Sequence, residues 1–206
     1  MKPGRESAVS PVVGVMLMLV VTIIIAAVVS AFAGGLSSDQ SKTPQVSLKA
    51  STVIEGIQDT DKTDWAPTYP VNFTAKNGFL FEHTGGDAFA LSDIYIQLQS
   101  GDAKYDIDTF DVIPTGNCLP DEIKSYIREI GSSDGFITPG DKFMLYADNC
   151  RIDDVPLYGY DNAAQISWKP EGTAGGKAAY MNTKLQYKII DKTSSRVISS
   201  GEVVLV

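Results

Sequence analysis

Residues 9–32 read VSPVVGVMLMLVVTIIIAAVVSAF, and no charged side chain falls anywhere between Ser7 and Ser38. An α-helix needs about 20 apolar residues to cross a bilayer core, so this stretch is long enough with some to spare. Apolar residues occupy every face of it, without a polar stripe. That pattern excludes a helix lying on a membrane surface and fits one surrounded by lipid or by other helices. Ser10 is a candidate N-cap, and Pro11 is tolerated in the first turn, where its missing N–H breaks no hydrogen bond. Gly34-Gly35 is expected to end the helix. Residues 36–45, rich in Ser, Thr, Gln and Pro, then read as a linker.

Charge is distributed unevenly around this segment. The chain carries 25 acidic and 17 basic side chains, and of these only Lys2, Arg5 and Glu6 precede Asp39. Lys2 and Arg5 lie before the span, which puts the N-terminus on the cytoplasmic side and the long acidic remainder outside. An acidic domain is a poor match to phosphate backbones, so nucleic acid is not an expected partner. The apolar core is too long for an ordinary secretory signal, whose h-region runs about 7–15 residues. Two readings remain open on hydropathy alone. One is a plain signal anchor. The other is a signal cut on the cytoplasmic side, so that the helix stays in the mature protein.

Ala8-Val9-Ser10-Pro11-Val12-Val13-Gly14-Val15-Met16-Leu17-Met18 resembles the start of the hydrophobic domain of archaeal type IV pilins. The run through Ile23-Ile24-Ile25-Ala26-Ala27-Val28-Val29 continues the likeness. Further on, Phe81-Glu82-His83-Thr84-Gly85-Gly86-Asp87 followed by Leu91-Ser92-Asp93 is similar to a segment common in the outer domains of these proteins. The resemblance implies removal of a charged leader, residues 1–8, by a prepilin peptidase cutting near Ala8–Val9. It also implies handling by pilus assembly machinery. Ser7 stands where the family usually has a basic residue, which shifts the expected bond by up to a residue or two. Bacterial type IV pilins carry a glutamate near the helix start; Val12 and Val13 occupy that region here.

Beyond residue 45 the pattern is mostly period two. Val46, Leu48 and Ala50 share one face, as do Ile94, Ile96 and Leu98, and residues 179–190 alternate as one strand through Met181, Thr183, Leu185, Tyr187 and Ile189. Alternation of this kind marks strands with one buried face. Shorter strands are expected at 69–75, 79–83, 104–110, 142–147 and 163–168, with a final hairpin formed by 196–199 and 202–206. Residues 121–130 are the exception. Ile123, Ile127 and Ile130 recur at helical spacing, with acids at the start and Gly131 at the end. The expected fold is therefore mainly β with one long N-terminal α-helix: a hydrophobic helix over 9–35, then an extracellular β-sandwich over 46–206 with one short helix packed on it.

Chemistry-bearing residues are few. Cys118 and Cys150 lack the spacing of a zinc or redox motif. In an oxidising compartment they are expected to pair, the alternative being two separate buried thiols. Gly131-Ser132-Ser133-Asp134-Gly135 fits G-x-S-x-G, but the only histidine, His83, lies upstream rather than downstream, so no hydrolase elbow is read there. Gly172–Lys177 departs from a phosphate-binding loop at Glu171 and Ala178. His83, Gly85, Gly86 and Asp87 are expected to form a structural turn between strands. The acidic groups Asp59/Asp61/Asp64 and Asp106/Asp108/Asp111 read as solvated surface rather than as calcium loops. Asn72 opens the one glycosylation sequon, Asn-Phe-Thr. No catalytic set, metal or cofactor is expected.

The reading that unites these features is a structural subunit. It is held in the membrane before assembly and then polymerises with copies of itself through the helix, with Pro11, Gly14, Val20, Ile24, Ala27 and Phe32 in the filament core. The resemblance implies adhesion as its use. The alternatives are a monomeric membrane-anchored binding domain, an anchored enzyme, and an archaellum filament subunit.

Overall fold

The computed structural model describes residues 11–37, 42–59, 74–152 and 165–206. Ala8, Val9, Ser10, Asp61, Asp64, Asn72 and most of the strand expected at 69–75 lie outside these residues. The chain divides into two compact units, Met1–Lys42 and Thr43–Val206. The first contains helix α1, Pro11–Ser37. It runs through Gly34-Gly35 instead of stopping there. Glycine costs a helix about 1 kcal/mol relative to alanine, which weakens a final turn without forbidding it.

The second unit is built from strands. In chain order they are β1 (Val46–Val53), β2 (Gln58–Asp59), β3 (Gly78–Gly86), β4 (Phe89–Ala90), β5 (Ile94–Ser100), β6 (Ala103–Asp108), β7 (Ile127–Ile130), β8 (Phe136–Ile137), β9 (Lys142–Tyr146), β10 (Asn149–Ile152), β11 (Gln165–Trp168), β12 (Lys177–Tyr180), β13 (Lys184–Asp191) and β14 (Arg196–Val204). Two four-stranded sheets, ordered β1-β3-β9-β7 and β14-β13-β5-β6, carry the core. Phe79, Phe81, Phe143 and Leu145 of the first share one buried cluster with Ile96, Leu98, Leu185 and Ile189 of the second. Phe81 stacks on Phe143 at 5.0 Å and meets Tyr187 edge-on at 5.1 Å, which joins the two sheets at their centre. A third sheet, β12-β11-β10-β2, adds Trp168, whose ring lies 5.1 Å from Phe79. β4 and β8 form a small separate ladder.

Three expectations are corrected. Residues 121–130 are not a helix. They form a turn that leads into β7, and Ile127 pairs with Leu145 of β9. An isolated helix of this length is marginal in water, and a sheet edge offers its backbone ready partners. Ile123 packs instead into a second small cluster with Leu119, Met144 and Tyr146, on the opposite face of β9 from the main core. The final hairpin is instead one strand, β14, paired along its length with β13. Its Gly201 is a packing residue rather than a turn: a Cβ there would lie 2.8 Å from the Tyr187 hydroxyl. The stretch 179–190 is broken into β12 and β13, with Asn182 at positive φ between them.

Candidate functional site

Helix α1 spans about 40 Å at 1.5 Å per residue, and its Pro11–Phe32 portion is long and apolar enough to cross a membrane. Every side chain from Pro11 to Phe32 is exposed, including Val20, Ile24 and Phe32. Thr22, the polar residue at mid-span, donates its hydroxyl back to the Leu19 carbonyl at 2.9 Å. That local bond satisfies it without any partner from outside. The apolar side chains around it, by contrast, are exposed along the whole span. Small residues concentrate in its second half, where Ala27 and Ala31 fall on one face, while Gly14 opens a gap near the start. A Cβ built at Gly14 meets nothing within 4 Å. Close approach at small residues is how helices associate once hydrophobic burial no longer favours contact.

The segment His83–Asp87 grips the residues where the chain enters the sandwich. His83 lies within β3, and the reversal into β4 falls at residues 87–88, just past the expected turn. Asp87 brackets Gln45: its N–H donates to the Gln45 carbonyl at 2.8 Å, and its Oδ2 accepts the Gln45 N–H at 3.2 Å. Gly86 has φ +109°, and a Cβ there would sit 2.1 Å from the Gln45 carbonyl oxygen. Only glycine permits this approach. Thr84 is the extra residue where the register slips between Ser47 and Leu48, and its hydroxyl bonds the Ser47 carbonyl and hydroxyl at 3.0 and 2.9 Å. His83 is buried beside Phe89. Its Nε2 lies 3.1 Å from the Asp87 carbonyl, so that nitrogen carries the proton, while Nδ1 has no partner among the described residues.

Cys118 and Cys150 form a disulfide with Cα atoms 6.1 Å apart. It pins the 118–126 segment over β9. The Cys118 N–H donates to the Asp148 carbonyl at 2.9 Å, and the Cys118 carbonyl accepts from Ala75 at 2.8 Å. Beside it lies a polar cluster that periodicity does not reveal. Buried Asp148 accepts the Tyr126 hydroxyl and the Lys169 N–H, the latter at 2.7 Å. Burial pushes the Asp148 carboxyl above the usual carboxylate range, against the pull of those donors. Burial, then the bond to Asp148, pushes the Tyr126 phenol up as well. Buried Asn77 holds the backbone of Glu55 and Gly56 through both ends of its amide.

The remaining candidates have local tasks. Ser132 donates to Glu129, whose other oxygen accepts the Gly135 N–H at 3.2 Å, so the G-x-S-x-G segment is a capped loop between β7 and β8. A strand follows it where a hydrolase elbow needs a helix. Asp106 accepts from Gln97, and Asp111 accepts the Asp108 N–H. Asp108 pairs with Lys192 at 2.8 Å. Burial opposes ionisation of Asp108, but bonds from Lys192, Phe110 and Thr109 outweigh it and hold the carboxyl below its ordinary value. Among the described residues no group of three acids, histidines or cysteines could hold a metal.

An apolar helix followed by an acidic, disulfide-pinned β-domain defines a class of membrane-anchored surface proteins. Within that class, residues 7–48 match the family described as archaeal type IV pilin, N-terminal. The first part of the chain is therefore similar to the N-terminal part of archaeal type IV pilins, and its apolar helix suits a membrane-anchored precursor of a surface protein. No curated protein matches the chain.

Proposed function

We propose that this chain is the repeating subunit of an archaeal type IV pilus-like filament. A prepilin peptidase cuts it near Ala8–Val9. The helix then leaves the bilayer for a bundle of identical helices, in which Gly14, Val20, Ile24, Ala27 and Phe32 pack, and the sandwich faces outward. Adhesion is the use proposed for the assembled filament, ahead of the swimming function of an archaellum. The observation that carries this reading is the family match across residues 7–48, joined to an apolar helix whose side chains from Pro11 to Phe32 are exposed. Such a helix cannot stay exposed once out of lipid, and copies of itself share its chemistry.

Mass spectrometry of the mature N-terminus tests the reading. A chain beginning within a residue or two of Val9, recovered from sheared surface filaments, supports it. Retention of Lys2 and Arg5 in surface-exposed protein favours a monomeric anchored domain instead. A cut after Ala33 would mean an ordinary secreted protein. The same spectra read Asn72, proposed as a glycan acceptor on the outward domain.

A further inference from the structure

We propose that His83–Asp87 is the load-bearing anchor of the sandwich, the point at which tension arriving along the chain from the helix is transferred into the core. Among the described residues β1 is the outermost strand of its sheet and pairs with β3 alone. Its N-terminal end, Val46, faces Gly86 at the end of the ladder. Tension entering from the Thr43 side therefore pulls on the ladder at one end and loads its hydrogen bonds one after another. Bonds loaded singly are individually weak, each worth about 1 kcal/mol net. An edge strand pulled this way peels unless its first residue is held.

The structure holds the chain on either side of that residue, at Gln45 and at Ser47. Asp87 brackets Gln45 with one backbone bond and one carboxylate bond. Gly86 lets the two backbones touch. Thr84 fastens Ser47, two residues in. The clamp itself is tied back to the interior. The His83 N–H donates to the Asp141 carbonyl at 2.9 Å, and its carbonyl accepts from Gly140 at 2.7 Å. Asp141 is fixed by two bonds from Thr138, at 2.8 and 2.6 Å. These residues lead directly into β9, whose Phe143 lies at the centre of the core. A continuous path of short bonds thus runs from Gln45 to a central strand and bypasses the rest of β1. The inference needs only that the helix end be held, in a bilayer or in a filament, so it stands or falls separately from polymerisation.

The test uses the full chain in nanodiscs, held through its helix and pulled by a handle at Ser133→Cys. That loop position is exposed, and both native cysteines are already bonded, so the new thiol labels alone. Asp87→Ala is expected to release β1 at lower force and to lower the exchange protection of the Val46–Val53 amides about tenfold, leaving β13 amides unchanged. Asp87→Asn, which keeps an oxygen acceptor for Gln45, is expected to hold near the parent force. Asp191→Ala serves as the control, since Asp191 caps Ser194 with two 2.6 Å bonds in the β13–β14 turn. The proposal is overturned if Asp87→Ala peels at the parent force, or if Asp191→Ala lowers that force equally.

Discussion

The helix and the sandwich solve opposite halves of the same problem. The helix pairs the backbone groups of its interior turns within itself but buries none of its side chains from Pro11 to Phe32. The sandwich buries Phe79, Phe81, Ile94, Ile96, Leu98 and Trp168 completely, and it joins two sheets across distant parts of the sequence. One region depends on what surrounds it. The other depends on its own distant residues. Substitutions should therefore separate cleanly into those that abolish assembly and leave the sandwich intact, and those that do the reverse.

The largest expected effect is on assembly. Val20→Asp or Ile24→Asp places a carboxylate in the middle of an apolar span, at a cost of about 3 kcal/mol in lipid and more in a dry bundle. Electron microscopy should show no filaments, while thermal unfolding of the sandwich stays at the parent temperature. A shift in that temperature would mean the two regions are coupled. Next is Phe81→Ala, which removes the ring between Phe143 and Tyr187. Deleting a buried aromatic costs about 3–5 kcal/mol, measurable by denaturant titration, with membrane insertion of the helix unchanged.

Removing the disulfide by Cys118→Ser with Cys150→Ser should cost about 2–4 kcal/mol in the chain-entropy picture. The first region to lose exchange protection should be 113–126, which covers β9, rather than β5 or β13. The smallest effect concerns pH. Asp148 has its folded carboxyl raised by burial, so the fold favours its protonated form. Its contribution is fully present below the ordinary aspartate value near 3.9 and is lost as pH rises through the folded value. Asp148→Asn keeps an oxygen to accept the Tyr126 and Lys169 donors. It should be at least as stable as the parent at pH 7, with the advantage vanishing toward pH 4. Asp108 acts in the opposite sense: its lowered carboxyl stabilises at neutral pH and ceases to as pH falls. A stability difference between Asp148→Asn and the parent that does not shrink from pH 7 to pH 4 would refute the assignment for Asp148.

The sequence announces those parts whose stability is decided locally. The apolar run needs no partner to be recognised, and Ile94, Ile96 and Leu98 alternate because one face of β5 is buried. What escapes a local reading depends on distant residues. Ile123, Ile127 and Ile130 fit a helical stripe as well as they fit a turn plus an edge strand, and only pairing with β9 decides between them. Ser199-Ser200-Gly201 looks like a reversal until Tyr187 is found lying over the glycine. The clamp was half legible: the glycines and acid of residues 83–87 mark a special backbone, but nothing near them names Gln45 as what they hold. Asp148 gives no signal at all, because an isolated acid in a sequence reads as surface.

The bond between Cys118 and Cys150 also closes a ring of chain that contains β7, β8 and β9. The exposed loop around Ser132–Asp134 lies inside that ring. A protease that cuts there opens the loop without separating the protein into pieces, because both sides of the cut remain joined through sulfur. β7 and β9 stay hydrogen-bonded across the break, and the clamp at Gln45, outside the ring, is untouched. For a molecule displayed beyond the cell, where cut chains cannot be replaced in place, the crosslink amounts to insurance against scission. Nicked copies should run as one band without reductant and as two with it.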